Sequence, residues 1–403
     1  MKKLLILISV FYFSCQSDEE LKTGPILTIE LEGGPTQEGF RSFYSVKGEG
    51  GEDIDFGELR PGRTLVSNDS YDGEKIAVTF FTTVPFTFSS AESFLDIPVG
   101  QVIKFKRVGS NSPVSNNTAT VKFENFPEDF DRVILTNISN SDSFKPVSLG
   151  HGRDLFFDFN SNDPFTVVVF VPLDGPPEYQ TLNMTNNITI DGSNNSLMEN
   201  ENLIPLSNII GDSAYYSFNV SGLPQGFSNA FPRYSLGSKY FERIESNMLK
   251  FYTPRLFDNH FVSLDIHAEE SLYRQFSFGD IPETFHFLDV DVHIDTTFIN
   301  HNIDLSTTED LTFVSSHWRS NIGQEALIWN ITSPPIVVND YAVEQIPELI
   351  KNSIDGLRRL ENLRLIRVKN TVVDDLSYAS WLEKQWDGNG SLDLMTVEKS
   401  VSF

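Results

Sequence analysis

The sequence predicts a mainly β protein, built of tandem antiparallel β-sandwich domains with a small C-terminal α+β element. Three observations predict it. The apolar content is 34 Phe against 4 Trp and 5 Met, accompanied by Val, Ile and Thr, types that suit a pleated, half-buried surface. Apolar and polar residues alternate over short runs, "ILTIELE" from Ile26, "KIAVTFFTT" from Lys75 and "GQVIKFKRV" from Gly100, which is the period of a strand with one wet face. Between the runs stand Gly, Pro, Asn and Asp, the residues that turn a chain. Short strands with regular turns are the pattern of Ig-like or fibronectin-like sandwiches of about 100 residues each.

Taken in order, residues 25–108 read as the first sandwich, with Asp72-Gly73 as a hairpin signal before the strand at Lys75. "GSNSPVSNNT" (109–118) is a linker. "ATVKFENF", "RVILTNI", "DLFFDFN" and "FTVVVFVP" supply strands of a second sandwich over 118–190, which ends in an Asn-rich stretch. A third sandwich covers 210–335. "VKFENFPEDF" and "SFNVSGLPQGF" share a strand and a turn, placing Pro127 and Pro224 97 residues apart, a period of domain size.

Residues 336–403 change character and form the α+β unit. Ile346, Leu349, Ile350, Ile354, Leu357 and Leu360 recur at helical spacing, with Pro347 in the first turn. "NLRLIRVKN" follows as a strand. "VDDLSYASWLEKQW" is a second helix with Leu376, Ala379, Leu382 and Trp386 as its core stripe. "LDLMTVEKSVSF" closes the chain as a strand.

Charge and cysteine content exclude several functions. Fifty-six acidic residues face 30 basic ones, a formal charge of −26, and such a field repels phosphate backbones, so nucleic acid is excluded as a partner. Neutral glycans, divalent cations and basic peptides are compatible with it. The single cysteine, Cys15, leaves no pair for a disulfide and no second thiolate for a metal. Gly-x-Ser-x-Gly, phosphate-loop and His-Glu-x-x-His motifs are absent.

Residues 1–14 carry Lys2 and Lys3, an apolar run from Leu4 to Phe13 and then Ser14, the layout of a secretory signal peptide. The run is too short for a membrane span, which needs about 20 apolar residues. Cys15 and the acidic "QSDEE" follow directly. The stretch resembles the start of a Bacteroidota-type surface-exposed lipoprotein. The resemblance covers about 20 residues, with Tyr12 standing where Leu is usual. It implies that Cys15 becomes the first residue and takes lipid, that 15–24 is a tether, and that the protein sits in the outer membrane facing the cell exterior. Two or more acyl chains suffice for such anchoring, since each buried methylene adds about 0.8 kcal/mol.

Three groups are candidate sites. On "FVSLDIHAEE" and "FHFLDVDVHID", alternation puts Asp265 and His267, and separately Asp291 and His293, on the polar faces of strands; adjoining faces would hold a divalent metal. "DGNGSL" is similar to the middle of a calcium loop, with Asp387 and Asn389 as side-chain ligands and Ser391 as a carbonyl ligand; Ca2+ is therefore the one cofactor to expect, although Gln385 and Thr396 stand where such loops keep their end carboxylates. All four Trp lie in the last quarter, and Tyr378 and Trp381, on the flank of the second helix, are the rings expected to meet a sugar face. The expected function is that of a lipid-anchored, non-catalytic surface protein that binds an extracellular polymer, a glycan, or a partner protein, through its C-terminal unit. A metal-dependent hydrolase using the 265–295 strands and a structural envelope or adhesin stalk are the alternatives.

Overall fold

The computed structural model describes residues 24–32, 41–84, 88–105, 117–125, 130–138, 141–144, 154–159, 165–206, 215–223, 233–243, 248–268, 270–297, 300–322, 325–335, 346–354, 357, 360, 363–386 and 394–403. Cys15, Asp387, Asn389 and Ser391 lie outside them. The described chain is mainly β, in several largely antiparallel sheets with two short helices.

Seven strands build the first unit: β1 (Leu27–Leu31), β2 (Arg41–Gly48), β3 (Asp53–Glu58), β4 (Gly62–Val66), β5 (Lys75–Val84), β6 (Phe88–Pro98) and β7 (Gln101–Phe105). They form a small sheet β4-β1-β7 opposite β3-β2-β5-β6. Leu27, Ile29, Val46, Val78 and Ile103 fill the space between. The Asp72-Gly73 segment is not a hairpin, because β4 pairs with β1 while β5 pairs with β2 and β6. It crosses between sheets instead, and Glu49 accepts the free Glu74 and Lys75 N–H groups at 3.0 and 2.8 Å.

The second unit repeats that order. Its strands are β8 (Asn117–Glu124), β9 (Phe130–Thr136), β10 (Ser141–Phe144), β11 (Leu155–Phe159), β12 (Thr166–Pro172), β13 (Glu178–Leu182), β14 (Asn187–Asp191) and the short β15 (Ser196–Leu197). The sheets run β11-β8-β14 and β10-β9-β12-β13-β15. In both units the first strand is central in the small sheet, antiparallel to the fourth and parallel to the seventh. The apolar run of β12 is explained by burial on both faces: Val168 and Phe170 enter this unit's core, while Val167 and Val169 pack against the third unit.

The third unit comprises β16 (Asn200–Pro205), β17 (Tyr215–Leu223), β18 (Tyr234–Arg243), β19 (Met248–Thr253), β20 (Asn259–Ala268) and β21 (Ser271–Gly279), ordered β16-β19 and β18-β17-β20-β21. Strand order therefore recurs three times. The sequence match around Pro127 and Pro224 follows β8, a first strand, in one case and β17, a second strand, in the other, so it equates strands that are not equivalent.

The remainder contains β22 (Val290–Thr297), β23 (Asn300–Thr307), β24 (Phe313–Ile322), β25 (Glu325–Ser333), α1 (Glu348–Ser353), β26 (Arg364–Val373), α2 (Tyr378–Trp386) and β27 (Thr396–Ser402). The order β25-β24-β26-β27 is again the four-strand order of the larger sheets. The boundary expected at 335 falls inside this group. The segment after it is no outer appendage, since β26 and β27 occupy the middle of a twelve-stranded sheet, β18-β17-β20-β21-β27-β26-β24-β25-β6-β5-β2-β3. Two seams join it: β21 to β27, antiparallel, and β25 to β6, parallel.

This fourth group has no small sheet of its own among the described residues. On one face α1 and the residues after it bury Ile350, Ile354, Leu357 and Leu363 against Trp318, Trp329 and Phe81, while the β22–β23 hairpin sets Val292 and Leu305 against Val314 and Val368. The helix is shorter than its apolar spacing predicts, because Ile354 is already extended. Ile346, Ile350, Ile354 and Leu357 are buried, while Leu349 is exposed. On the other face α2 packs Leu382 and Trp386 into the first unit's core. No helix among the described residues is long and apolar enough to cross a membrane.

Trp329 sits beside the β25–β6 seam, 1% exposed, and donates from Nε1 to Ser93 Oγ at 2.9 Å. Trp329→Ala should lower the unfolding free energy by about 3–5 kcal/mol, read as a shift in the urea midpoint, and should do so for the first and fourth units together.

Candidate functional site

Among the described residues the α2-bearing face of the long sheet is only partly covered, and the part left open is a hollow of about 350 Å3. Its floor spans β6, β25, β24, β26, β27 and β21. Strand register builds it. Glu92 lies opposite Asn330, Asn330 opposite His317, and His317 opposite Arg367, so four polar side chains stand in one row across four strands. A second row runs Phe94, Thr332, Ser315, Lys369 and Ser400. A third pairs Glu398 with Arg274 and Arg274 with Asp265.

Alternation dictates which residues face the hollow. In β24, Phe313, Ser315 and His317 point into it, whereas Val314, Ser316 and Trp318 point to the opposite core. In β26 the register slips by one residue between His317 and Trp318. Such a bulge sharpens the local twist and re-aims the neighbouring side chain, here Arg367.

Most charges in the hollow are neutralised within it. Arg274 donates from Nε and Nη2 to both Asp265 oxygens, at 2.8 and 2.7 Å, and Lys369 donates to Glu398 at 2.9 Å. The Asp265 carboxylate holds the guanidinium proton of Arg274 more tightly than usual. His317 Nδ1 and Asn330 Oδ1 are 2.6 Å apart, and the Ser315 and Thr332 hydroxyls 2.8 Å. Two charged groups stand outside these pairs. Neither the Glu92 carboxyl nor the Arg367 guanidinium has a hydrogen-bond or ion-pair partner among the described residues. Glu92 is open to solvent, yet surrounding protein raises its carboxyl above the ordinary 4.5. The two facts agree in a concave site, where water reaches the group but cannot complete its hydration shell.

Trp381 forms the aromatic wall. It is half-buried, with its ring 4.1 Å from Phe313 and 6.0 Å from Tyr378. Tyr378, expected beside it as an exposed ring, is 8% exposed. Its hydroxyl donates to the Leu95 and Thr332 carbonyls at 2.9 and 3.2 Å, which pins α2 to β6 and β25, and burial raises its ionisation far above the usual tyrosine value. It positions Trp381 instead of meeting a ligand. Trp318, Trp329 and Trp386 are buried.

The proposed metal strands do not converge. Asp265 is held by Arg274, and β20, which carries it with His267, pairs with β17 and β21. Asp291 and His293 are exposed on β22, which pairs with β23. Among the described residues no three His, Cys, Asp or Glu side chains gather to hold a metal. The polar faces are the wet sides of two separate sheets.

Sequence reasoning found Trp381 but missed Glu92, His317, Asn330, Arg367 and Lys369. Each sits at an ordinary outward position of an alternating strand. No model of a known protein family and no curated protein matches the chain.

Because the folded state resists ionising Glu92, the unfolded chain loses that proton first as pH rises past 4.5, so stability falls until the folded group ionises and stays lower thereafter. Glu92→Gln should therefore raise the melting temperature at pH 7, and the gain should vanish below about pH 4. Thermal scans of both proteins across that range check it.

Proposed function

We propose that the chain is a lipid-anchored protein of the outer cell surface that captures an extracellular glycan in the hollow beside Trp381. The observation that carries the reading is the combination of one half-open indole wall with rows of amide, imidazole, hydroxyl and charged groups on a rigid floor. A pyranose ring offers an apolar face and a rim of hydroxyls, so it needs a flat aromatic surface together with directional hydrogen-bonding partners. The hollow's volume lies in the range of small-ligand sites. Its side chains rise from paired strands, so little ordering entropy opposes binding.

The carboxylates suit binding better than glycosidic cleavage. Glu92 and Glu398 stand four strands apart, roughly 19 Å at strand spacing, whereas hydrolysis by paired carboxyls needs about 5–9.5 Å. A stalk would have no use for an unpaired carboxyl whose charge costs stability.

Anchoring rests on the N-terminal residues. Radiolabelled fatty acid should enter the wild type and not Cys15→Ser, and the substituted protein should leave the membrane fraction; equal retention of both removes the anchor from the reading. For the glycan, oligosaccharide arrays followed by calorimetry should find a ligand whose affinity falls about tenfold or more in Trp381→Ala, some 1.4 kcal/mol. Undiminished binding by that variant removes the hollow.

A further inference from the structure

We infer that the hollow selects an anionic oligosaccharide and that Arg367 is the group that binds its negative charge. The inference rests on the glycan reading and adds to it a substrate class that the overall charge of −26 argues against. Local geometry outweighs net charge here. The hollow gathers three cations, Arg274, Arg367 and Lys369, and two of them are already neutralised by Asp265 and Glu398. Arg367 is half-buried and has no acceptor in the described structure. Its flanking partners across the sheet are His317 and Ser402, neither of which carries a negative charge. A guanidinium presents five donors in a planar fork that matches a carboxylate or sulfate bidentately, and leaving that fork half-dry and unpaired costs stability that a bound anion restores. The bulge beside it directs it over the floor.

The opposite end of the row makes the site directional. Glu92 lies three strands from Arg367, roughly 14 Å at strand spacing, which leaves room for a short oligosaccharide between them. Asn330 and His317 lie between as hydrogen-bonding partners, and Trp381 and Phe313 supply the apolar wall. A negative group on the ligand is therefore drawn to the Arg367 end and repelled from the Glu92 end. Surrounding protein also lets the residual field act over the hollow more strongly than over the open surface.

The test uses the full-length chain in detergent micelles and three matched oligosaccharide probes: a uronate trimer, the same trimer with its carboxyls reduced to alcohols, and a sulfated neutral trimer. The expected result is at least tenfold tighter binding of one or both anionic trimers than of the neutral one, and the tighter of the two names the charged group. Arg367→Ala should bring the preferred anionic trimer down to the neutral affinity, and Arg367→Lys, which keeps the charge but not the fork, should restore only part of the difference; melting temperatures no lower than that of the unsubstituted chain establish that both variants fold. Equal affinity for all three probes, lost in Trp381→Ala, overturns the anionic assignment and leaves glycan capture standing. An anionic preference that survives Arg367→Ala overturns the role of Arg367. Binding of none of the three overturns the glycan reading and this inference with it.

Discussion

Backbone pairing across two seams is the constraint on which the rest of the molecule depends. β24–β27 carry the strand order of a sandwich's larger sheet without, among the described residues, the small sheet that closes the other units. Four such strands with two open edges would present rows of unpaired N–H and C=O groups to any passing chain. Pairing β25 with β6 and β27 with β21 removes both edges and merges three four-strand groups into one continuous floor. Ordering so many non-local contacts is entropically expensive, and burial offsets it, with Trp329 and Phe81 in edge contact at 6.0 Å beside the seam.

The hollow is a consequence of that arrangement. Where the first unit has a small sheet over its larger one, the described residues of the fourth place only α2 on that face, and α2 is nine residues long. A sheet face left uncovered must be polar, and here it is: Glu92, Asn330, His317, Arg367 and Lys369 take the positions that Val46 and Val78 fill with apolar side chains under the first unit's small sheet. Glu92, whose ionisation the surrounding protein disfavours, and Arg367, without an acceptor among the described residues, are two places where the floor departs from what stability alone would choose. Departures of that kind gather where a protein does its work.

Alternation and turn chemistry made most strands legible. "KIAVTFFTT", "FTVVVFVP" and "NLRLIRVKN" each became a strand, and the stripe Leu382–Trp386 of the second helix became core. Errors arose where a local signal has more than one tertiary solution. Asp72-Gly73 lies between two strands in either case, and only the partners of β4 and β5 show that the chain changes sheets there. Tyr378 sits on the helix flank, but the carbonyls of Leu95 and Thr332 lie above that flank and draw its hydroxyl inward. Asp265 has the look of a metal ligand until Arg274 is found on the next strand.

By itself the sequence determined the β class, most strand positions, the exclusion of a disulfide and Trp381 as a ring at the hollow, because each follows from period, composition or count within a short stretch. Only the tertiary structure decided that β24–β27 lie between two other units and that residues from six strands form one floor. Pairing partners and register are set by contacts between segments as distant as β6 and β25. No local pattern encodes which edge a strand will find, since that choice is made by the free energy of the whole sheet.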